Sequence, residues 1–244
     1  MPPEGLDWLP TEETLTDTEV VRLVRVGVER LGIRQVRFTG GEPLLRRGLE
    51  GIIEACSHLR TDEGKPLDLA LTTNALGLAK RAQGLKDAGL NRVNISLDSL
   101  DPEHFAAITR RDRLGDVLEG IEAAARAGLS PIKVNALVLR GMNEADLPDL
   151  VDYCLDRGIE LRVIEQMPIG PADTWDRQNI MTADEILHIM STRHMLTPAP
   201  REDPHSPAGR WIVDGDPNKK LGVIASVSAP FCGACDRTRL TSDG

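Results

Sequence analysis

Hydrophobic residues recur at helical spacing near the start of the chain. The apolar positions there are Val20, Val21, Leu23, Val24, Val28 and Leu31. This spacing predicts a helix over 17–31, with Thr16 or Asp17 as its N-cap and Gly32 at its end.

The same kind of pattern then alternates with short β-type runs. Strands are predicted over 35–39, 68–73, 92–97, 132–138 and 160–166. The helices between them are predicted over about 46–59, 77–88, 102–108, 114–127 and 145–157. Gly89, Gly128 and Gly158 each follow a helix, as glycines that end helices do. Because parallel neighbours need a crossover that is usually helical, this order indicates an α/β fold with parallel strands.

Alternate positions within these strands are polar, which helps to choose between an open sheet and a barrel. The polar series is Arg37, Thr39 and Gly41; Thr72 and Asn74; Asn94, Ser96 and Asp98; Lys133 and Asn135; Glu165 and Met167. The other parity is apolar and suits packing on helices. No GxGxxG motif follows a strand, which disfavours a dinucleotide-binding sheet. We therefore expect a partial TIM-like barrel whose lumen holds a large polar ligand.

The composition of the sequence changes after His194, where prolines become frequent. Four prolines, at 198, 200, 204 and 207, mark a linker, and strands are predicted over 210–214 and 221–227 with a turn at 216–218. The predicted division is a barrel over 1–197 and an extension over 198–244. We expect this extension to be an appendage laid over the barrel mouth.

Composition and charge limit the partners and the cellular compartment that we expect for this protein. The 244 residues carry a net charge of −9 without basic stretches, so a nucleic acid or an anionic membrane surface is not expected as a partner. The first residues lack the pattern of a secretory signal, which favours a cytoplasmic protein. Cys56 and Cys154 lie within helical patterns and are interpreted as small buried hydrophobes.

The segment Thr39–Pro43, Thr-Gly-Gly-Glu-Pro, follows the first predicted strand. Its two glycines allow close approach of backbone to a ligand, and Glu42 is able to accept hydrogen bonds from an ammonium group. The alternative is a strand-to-helix turn that needs glycine for its dihedral angles.

A CxxC motif, Cys232 and Cys235, precedes Arg237-Thr238-Arg239 near the end of the chain. Thiolates at this spacing suit one metal ion or one cluster, and the flanking arginines suit phosphate. A thioredoxin-like redox pair and half of a zinc site, completed by His194 or His205, are the alternatives.

Taken together, these motifs resemble a known family. Thr39–Pro43 is similar to the GGEP element of radical S-adenosylmethionine (SAM) enzymes. Five further segments resemble the GTP 3′,8-cyclase family of molybdenum-cofactor biosynthesis in order and spacing. They are 71–74, 94–98, 133–135, 164–168 and 231–244. The resemblance implies a (βα)6 partial barrel and a lyase reaction in which a 5′-deoxyadenosyl radical removes hydrogen from the ribose of GTP, whose 3′ carbon then joins guanine carbon 8.

The resemblance also implies roles for individual residues. SAM is expected to contact Gly41, Ser96 and Met167. GTP is expected to contact Arg37, Thr72, Lys133, Arg237, Thr238 and Arg239. Cys232 and Cys235 are expected to bind the second of two [4Fe-4S] clusters. The alternatives are a salt bridge from Lys133 to Glu165 or Asp98, and pairing of the arginines with Asp236 and Asp243.

The chain departs from the family pattern at both ends. Family members carry a CxxxCxxC loop before the Met-Pro that is Met1-Pro2 here, and a further cysteine beyond the position of Gly244. Two hypotheses follow: an incomplete record of a working cyclase, with this chain inactive by itself, or a non-catalytic nucleotide-binding relic. The resemblance implies a downstream enzyme, cyclic pyranopterin monophosphate synthase, and is compatible with a homodimer.

Overall fold

The computed structural model describes residues 9–168, 180–201 and 203–244. Met1-Pro2, which entered the family resemblance, lies outside this range. The chain divides into two compact units. The first comprises 9–93, Gly120–Ser130 and Arg237–Gly244, and the second comprises Asn94–Glu119 and the described residues of 131–236.

Helices and strands alternate through most of the described residues. The α-helices are α1 (Asp17–Leu31), α2 (Leu49–Ser57), α3 (Leu78–Asp87), α4 (Pro102–Thr109), α5 (Leu114–Arg126), α6 (Leu147–Asp156) and α7 (Ala183–Met190). The strands are β1 (Gln35–Phe38), β2 (Asp68–Thr73), β3 (Arg92–Ser96), β4 (Ile132–Leu137), β5 (Glu160–Ile164), β6 (Leu196–Pro198), β7 (Gly209–Val213) and β8 (Asp216–Ile224). The predicted α/β alternation is confirmed, with most boundaries within three residues.

The first unit shows how local signals set element boundaries. Thr16 caps α1 in a capping box, in which its hydroxyl accepts from the Glu19 N–H and the Glu19 carboxylate accepts from the Thr16 N–H. Gly32 ends the helix at φ 67°, a left-handed conformation that glycine adopts without steric cost. β1 and β2 pair in parallel, with Val36 opposite Leu69.

The second unit contains strands in the order β3-β4-β5-β8-β7-β6, where β3 contributes its last three residues. β4, β5 and β8 are parallel, whereas β7 and β6 are antiparallel to their neighbours. The expectation of an appendage is therefore wrong for the β7–β8 hairpin, which extends the sheet beyond β5, and the placement of the extension over the barrel mouth stays a prediction. The domain boundary at 197/198 stays a prediction.

The hairpin turn lies earlier than expected. Asp214 and Gly215 have φ values of 53° and 75°, and the ladder closes between Val213 and Asp216. Positive φ at both central residues is the geometry of a two-residue type I′ turn, for which Asp-Gly is a favoured sequence. The predicted turn at 216–218 is wrong, because Asp214-Gly215 forms the turn and residues 216–218 already belong to β8.

Helix α7 and strand β6 were missing from the predicted elements. α7 begins with a capping box between Thr182 and Glu185 and buries Ile186 and Met190. The Thr-Ala-Asp-Glu sequence before this apolar run is a recognisable helix start. β6 is three residues long and ends in Pro198, which the sequence indicated only as part of a linker.

The core lies on the apolar parity of the strands. In the second unit, Val134, Ala136, Leu161 and Val163 are buried, and α6 packs on β5. Cys56 and Cys154 are fully buried, as expected. Burial raises the pKa of the Cys56 thiol to about 11 and that of Cys154 to about 12, so both thiols stay protonated at neutral pH. In the described part of the chain, no helix combines the length and the apolar character needed to cross a membrane.

Candidate functional site

In the first unit, two predicted ligand-binding residues share one face of the β1–β2 pair. Arg37 lies opposite Ala70, two residues before Thr72, so the side chains of Arg37 and Thr72 emerge on the same side. Arg37 is exposed, in keeping with the predicted parity. Gly41 follows in the loop after β1 and is also exposed.

Glu42 anchors that loop to the end of β2. Its carboxylate accepts from the Leu44 N–H at 2.9 Å, from the Thr73 hydroxyl at 2.7 Å and from the Asn74 N–H at 2.8 Å. Gly40 has φ 140°, which a residue with a side chain rarely adopts. The interpretation of this motif as a strand-to-helix turn is therefore supported. The Glu42 oxygens accept hydrogen bonds from groups of the protein itself.

In the second unit, polar side chains line one face of β3 and β4. The Leu97 N–H donates to the Asn135 carbonyl at 3.0 Å, a parallel pairing that sets Ser96 beside Asn135 and Asn94 beside Lys133. Asn94 is 1% exposed. Within the described residues, the buried Oδ1 atoms of Asn94 and Asn135 accept no hydrogen bond. Such orphaned acceptors are rare and suit a ligand that brings its own donors.

The same face continues into β5 and carries a cluster of charges, which we call the β5 charge cluster: Lys133, Glu160, Arg162 and Arg210. The Lys133 ammonium donates to Glu160 Oε2 at 2.9 Å, Arg162 Nε to Glu160 Oε1 at 2.7 Å, and Arg210 to Oε2 at 3.3 Å. Three cations thus share one carboxylate. The alternative partners of Lys133, Glu165 and Asp98, are wrong, because register places Glu160 directly opposite Lys133.

Burial and neighbouring positive charges lower the pKa of the Lys133 ammonium group. Lys133 is 7% exposed. Burial and the neighbouring Arg162 together lower its pKa to about 8, although Glu160 opposes this shift. Burial raises the pKa of Glu160, but attraction by Arg162 and Lys133 outweighs it and holds the net pKa below the ordinary value. The cluster is a positively charged, partly dehydrated surface, as expected of an anion site.

Arg162 and Arg210 were not among the site residues predicted from the sequence. The parity predicted for the strand over 160–166, with Glu165 and Met167 on the polar face, is wrong within β5, where Glu160 and Arg162 lie opposite Lys133 and Asn135. The usable signal was Glu160-Leu161-Arg162 at the start of β5, where charged residues flank a buried leucine.

Glu165 does not face the lumen as predicted. It is fully buried just beyond β5. Its carboxylate accepts from the N–H groups of Val227 and Ser228 at 2.8 Å, from the Ser228 hydroxyl, and from the N–H of Ala183, the first residue of α7, at 2.6 Å. Glu165 therefore joins α7 to the segment after β8. Met167 lies past the strand end and is 42% exposed.

Asp98 follows β3 on the predicted polar parity. Its carboxylate accepts from the Leu137 N–H at 2.8 Å, and its carbonyl accepts from the Asn143 side chain at 2.7 Å. Burial raises the pKa of Asp98 despite the hydrogen bond from Leu137. Asp98 thus ties the end of β3 to the end of β4 beside Ser96.

The CxxC thiols are exposed and free of a disulfide. Cys232 begins a single 3-10 turn, Cys232–Ala234, rather than the α-helix that a thioredoxin-like site requires. The described residues contain no group of three or more His, Cys, Asp or Glu side chains suited to a metal ion, and both ring nitrogens of His194 face carboxylates. Two exposed thiols at this spacing fit part of the ligand set of an iron–sulfur cluster.

The residues after the CxxC belong to the first unit. Arg237, Thr238 and Arg239 are exposed. The Leu15 N–H donates to the Ser242 carbonyl at 2.7 Å, which fastens this end of the chain to the segment before α1. Asp243 accepts a hydrogen bond from the Thr241 hydroxyl.

Comparison with known proteins matches the chain to the family that its motifs resemble. Residues 7–154 match the family model described as Radical SAM superfamily, and residues 159–244 match Molybdenum Cofactor Synthesis C. The fold is similar to SuiB of Streptococcus suis bound to S-adenosylmethionine, with a TM-score of 0.58 and 17% identity over 73% of this chain and 40% of that one. A radical SAM methyltransferase from Sphaerobacter thermophilus gives a TM-score of 0.54 at 16% identity over 73% of this chain and 55% of that one.

The fold and the family model define a radical SAM protein with a partial barrel. All of the chain aligns with the GTP 3′,8-cyclases of Corynebacterium glutamicum and Streptomyces coelicolor, at 56% and 53% identity. The chain belongs to the GTP 3′,8-cyclase family within the radical SAM superfamily. It spans 66% of the length of the first of these relatives and 70% of the second. Membership of the superfamily implies S-adenosylmethionine and a [4Fe-4S] cluster as cofactors.

Proposed function

We propose that this protein converts GTP to (8S)-3′,8-cyclo-7,8-dihydroguanosine 5′-triphosphate by radical SAM chemistry, the first step of molybdopterin biosynthesis. The observation that carries the proposal is the β5 charge cluster, where three cations surround one carboxylate on the polar face of the strands. The relatives that align with all of this chain, at 56% and 53% identity, are named GTP 3′,8-cyclases.

The cluster suits the triphosphate of GTP. Lys133 and Arg162 are both buried, so charge-assisted hydrogen bonds from them to phosphate are stronger than they are in water. The unpaired acceptors of Asn94 and Asn135 lie on the same face and suit the donors of a sugar or a base. A polar face that offers both cations and free acceptors matches a nucleoside triphosphate better than an inorganic anion.

The family motifs supply the remaining assignments. We assign Gly41, Ser96 and Met167 to S-adenosylmethionine. We assign Arg37, Thr72, Lys133, Arg237, Thr238 and Arg239 to GTP. The cofactors, when bound, supply the radical that removes a ribose hydrogen. The residues of this chain bind the nucleotide, offset its charge and exclude water from the reaction.

Two clusters are proposed, with Cys232 and Cys235 as ligands of the second. Their exposed thiols and two-residue spacing support shared ligation. The downstream enzyme, cyclic pyranopterin monophosphate synthase, and a homodimer remain predictions.

The direct test is turnover by the full-length protein after anaerobic reconstitution of its clusters. With GTP, S-adenosylmethionine and a strong reductant, mass spectrometry should detect 5′-deoxyadenosine and the cyclised nucleotide. Arg162→Gln should lower the yield at limiting GTP, whereas the exposed Lys219→Gln is the matched control and should not. GTP binding without either product would favour the non-catalytic relic and contradict the proposal.

A further inference from the structure

Glu160 occupies the centre of the β5 charge cluster. Its two carboxylate oxygens divide the cations between them, since Oε1 accepts from Arg162 and Oε2 from Lys133 and Arg210. The cations come from β4, β5 and β7, so a single side chain of β5 organises three strands. Two of these cations, Lys133 and Arg162, are buried and share the single negative charge of Glu160, an excess of positive charge that is costly unless an anion joins it.

Gly222 makes this convergence sterically feasible. It lies on β8 between Arg162 on β5 and Arg210 on β7, and pairs with both. A Cβ atom at this position would lie 3.3 Å from Arg162 Cγ and 3.2 Å from Ala208 Cβ, closer than such atoms usually approach. The missing side chain therefore leaves room for the Arg162 stem and for Arg210 to reach across β8 to Glu160.

We propose that Glu160 is a positioning residue that preassembles Lys133, Arg162 and Arg210 into a receptor for the terminal phosphates of the nucleotide. The inference rests on the proposed function, because it concerns the same substrate. Without the carboxylate, the three neighbouring cations repel one another and lose the partner that they share. With it, the receptor is formed before ligand arrives, and less side-chain entropy is lost on binding.

This arrangement makes phosphate binding depend on pH through Lys133. The charged groups that face Lys133 are Glu160 and Arg162 from β5 and Arg210 from β7, while β3 contributes the neutral Asn94. Lys133 binds phosphate in its protonated form. Affinity is therefore full below its pKa of about 8 and falls as the pH rises through that value. Glu160 opposes the loss of this proton, so removing its charge should move the fall in affinity to lower pH.

The test is calorimetric titration of the full-length protein with inorganic tripolyphosphate and, separately, with GTP. The pH runs from about 7 to about 9.5, and because the ligand's own protonation equilibria are the same for every variant, each profile is compared with that of Lys133→Arg. The wild-type dissociation constant should rise about ten- to hundredfold across the transition. In Glu160→Gln the transition should lie about one to three pH units lower, at or below the start of this range, so this variant should bind tripolyphosphate weakly and with little change from about pH 7 to about 9.5. Glu160→Asp should return the transition to near its wild-type pH. Lys133→Arg should abolish the transition that depends on residue 133.

Controls separate positioning from folding and from the proposed function. Lys219→Arg, on the exposed part of β8, should leave the profile unchanged, and circular dichroism checks that each variant is folded. The inference is overturned if affinity falls at the same pH in Glu160→Gln as in wild type. If Glu160→Gln does not fold, a fall in affinity that is as large in Lys133→Arg as in wild type overturns it instead. Tripolyphosphate binding with the expected transition but no GTP binding would refute the proposed substrate alone. GTP binding with no transition would refute the role of Glu160 and Lys133 alone.

Discussion

The Thr73 hydroxyl donates a 2.7 Å hydrogen bond to Glu42 Oε1 and joins the last residue of β2 to the loop that follows β1. The same carboxylate accepts from the Asn74 N–H, so two consecutive residues of the β2 end are held. The glycines of Thr39–Pro43 provide the backbone freedom, and Glu42 then fixes one conformation. A loop held in this way can present Gly41 to a ligand without reorganising.

Glu42→Ala should destabilise the protein, because it leaves the Thr73, Asn74 and Leu44 donors without their acceptor. We expect a loss of about 1.5–3 kcal/mol in the free energy of unfolding, measured by urea denaturation. Glu29→Ala on the exposed face of α1 is the matched control and should cost much less. Equal losses in the two variants would show that the Glu42 contacts contribute nothing specific.

Glu165→Gln should weaken the protein and flatten its acid response. Burial raises the pKa of Glu165, but hydrogen bonds from Ser228, Val227 and Ala183 outweigh it and hold the net pKa below the ordinary 4.5. Its stabilisation is therefore present above pH 4.5 and lost as the pH falls through the lowered value. We expect about 1.5–3 kcal/mol less stability near neutral pH. Urea denaturation across a pH series would contradict this if the two proteins differed equally at all pH values.

The sequence predicted elements well where local chemistry decides them. Thr16 and Gly32 mark the ends of α1 through capping and a left-handed backbone, both of which depend on neighbouring residues alone. The apolar parity of β3 and β4 likewise follows from the side chains. The polar parity of the strands predicted a partial barrel, and the family motifs then supported it, because six segments in order constrain a fold more than any single motif.

The failures concern contacts between distant residues. The face of Glu165 depends on where β5 ends, and its partners lie in α7 and after β8, outside the reach of strand parity. Arg210 joins the β5 charge cluster only because β8 pairs with β5 and Gly222 leaves space, and neither fact is visible locally. The hairpin error was avoidable, since Asp214-Gly215 is a strong local signal.

Cys232→Ser or Cys235→Ser should remove one of two clusters from the anaerobically reconstituted full-length protein. The reason is that a cluster lacking a thiolate ligand is held weakly and lost on exchange into buffer. Iron analysis should fall from about eight to about four irons per chain, since each proposed cluster holds four. Cys56→Ser, at a buried thiol, is the control. Retention of both clusters in either CxxC variant would exclude the motif as a cluster ligand.

Arg239→Ala should weaken GTP binding about ten- to hundredfold, the cost of one charge-assisted contact to phosphate. Because this contact binds substrate without taking part in hydrogen removal, uncoupled cleavage of S-adenosylmethionine should persist. The measurements are the GTP dissociation constant and the release of 5′-deoxyadenosine. Unchanged affinity would remove the phosphate role assigned to Arg239, and loss of uncoupled cleavage would indicate a wider effect.

The central claim is that the polar face of β4, β5 and β7 binds the triphosphate of GTP. Calorimetry of the full-length protein with GTP and with guanosine tests it most directly, in wild type and in Arg162→Gln. We predict that wild type binds GTP at least about a hundredfold more tightly than guanosine, and that Arg162→Gln loses about tenfold or more of this preference without changing guanosine affinity. Equal affinities of wild type for GTP and guanosine would contradict the claim.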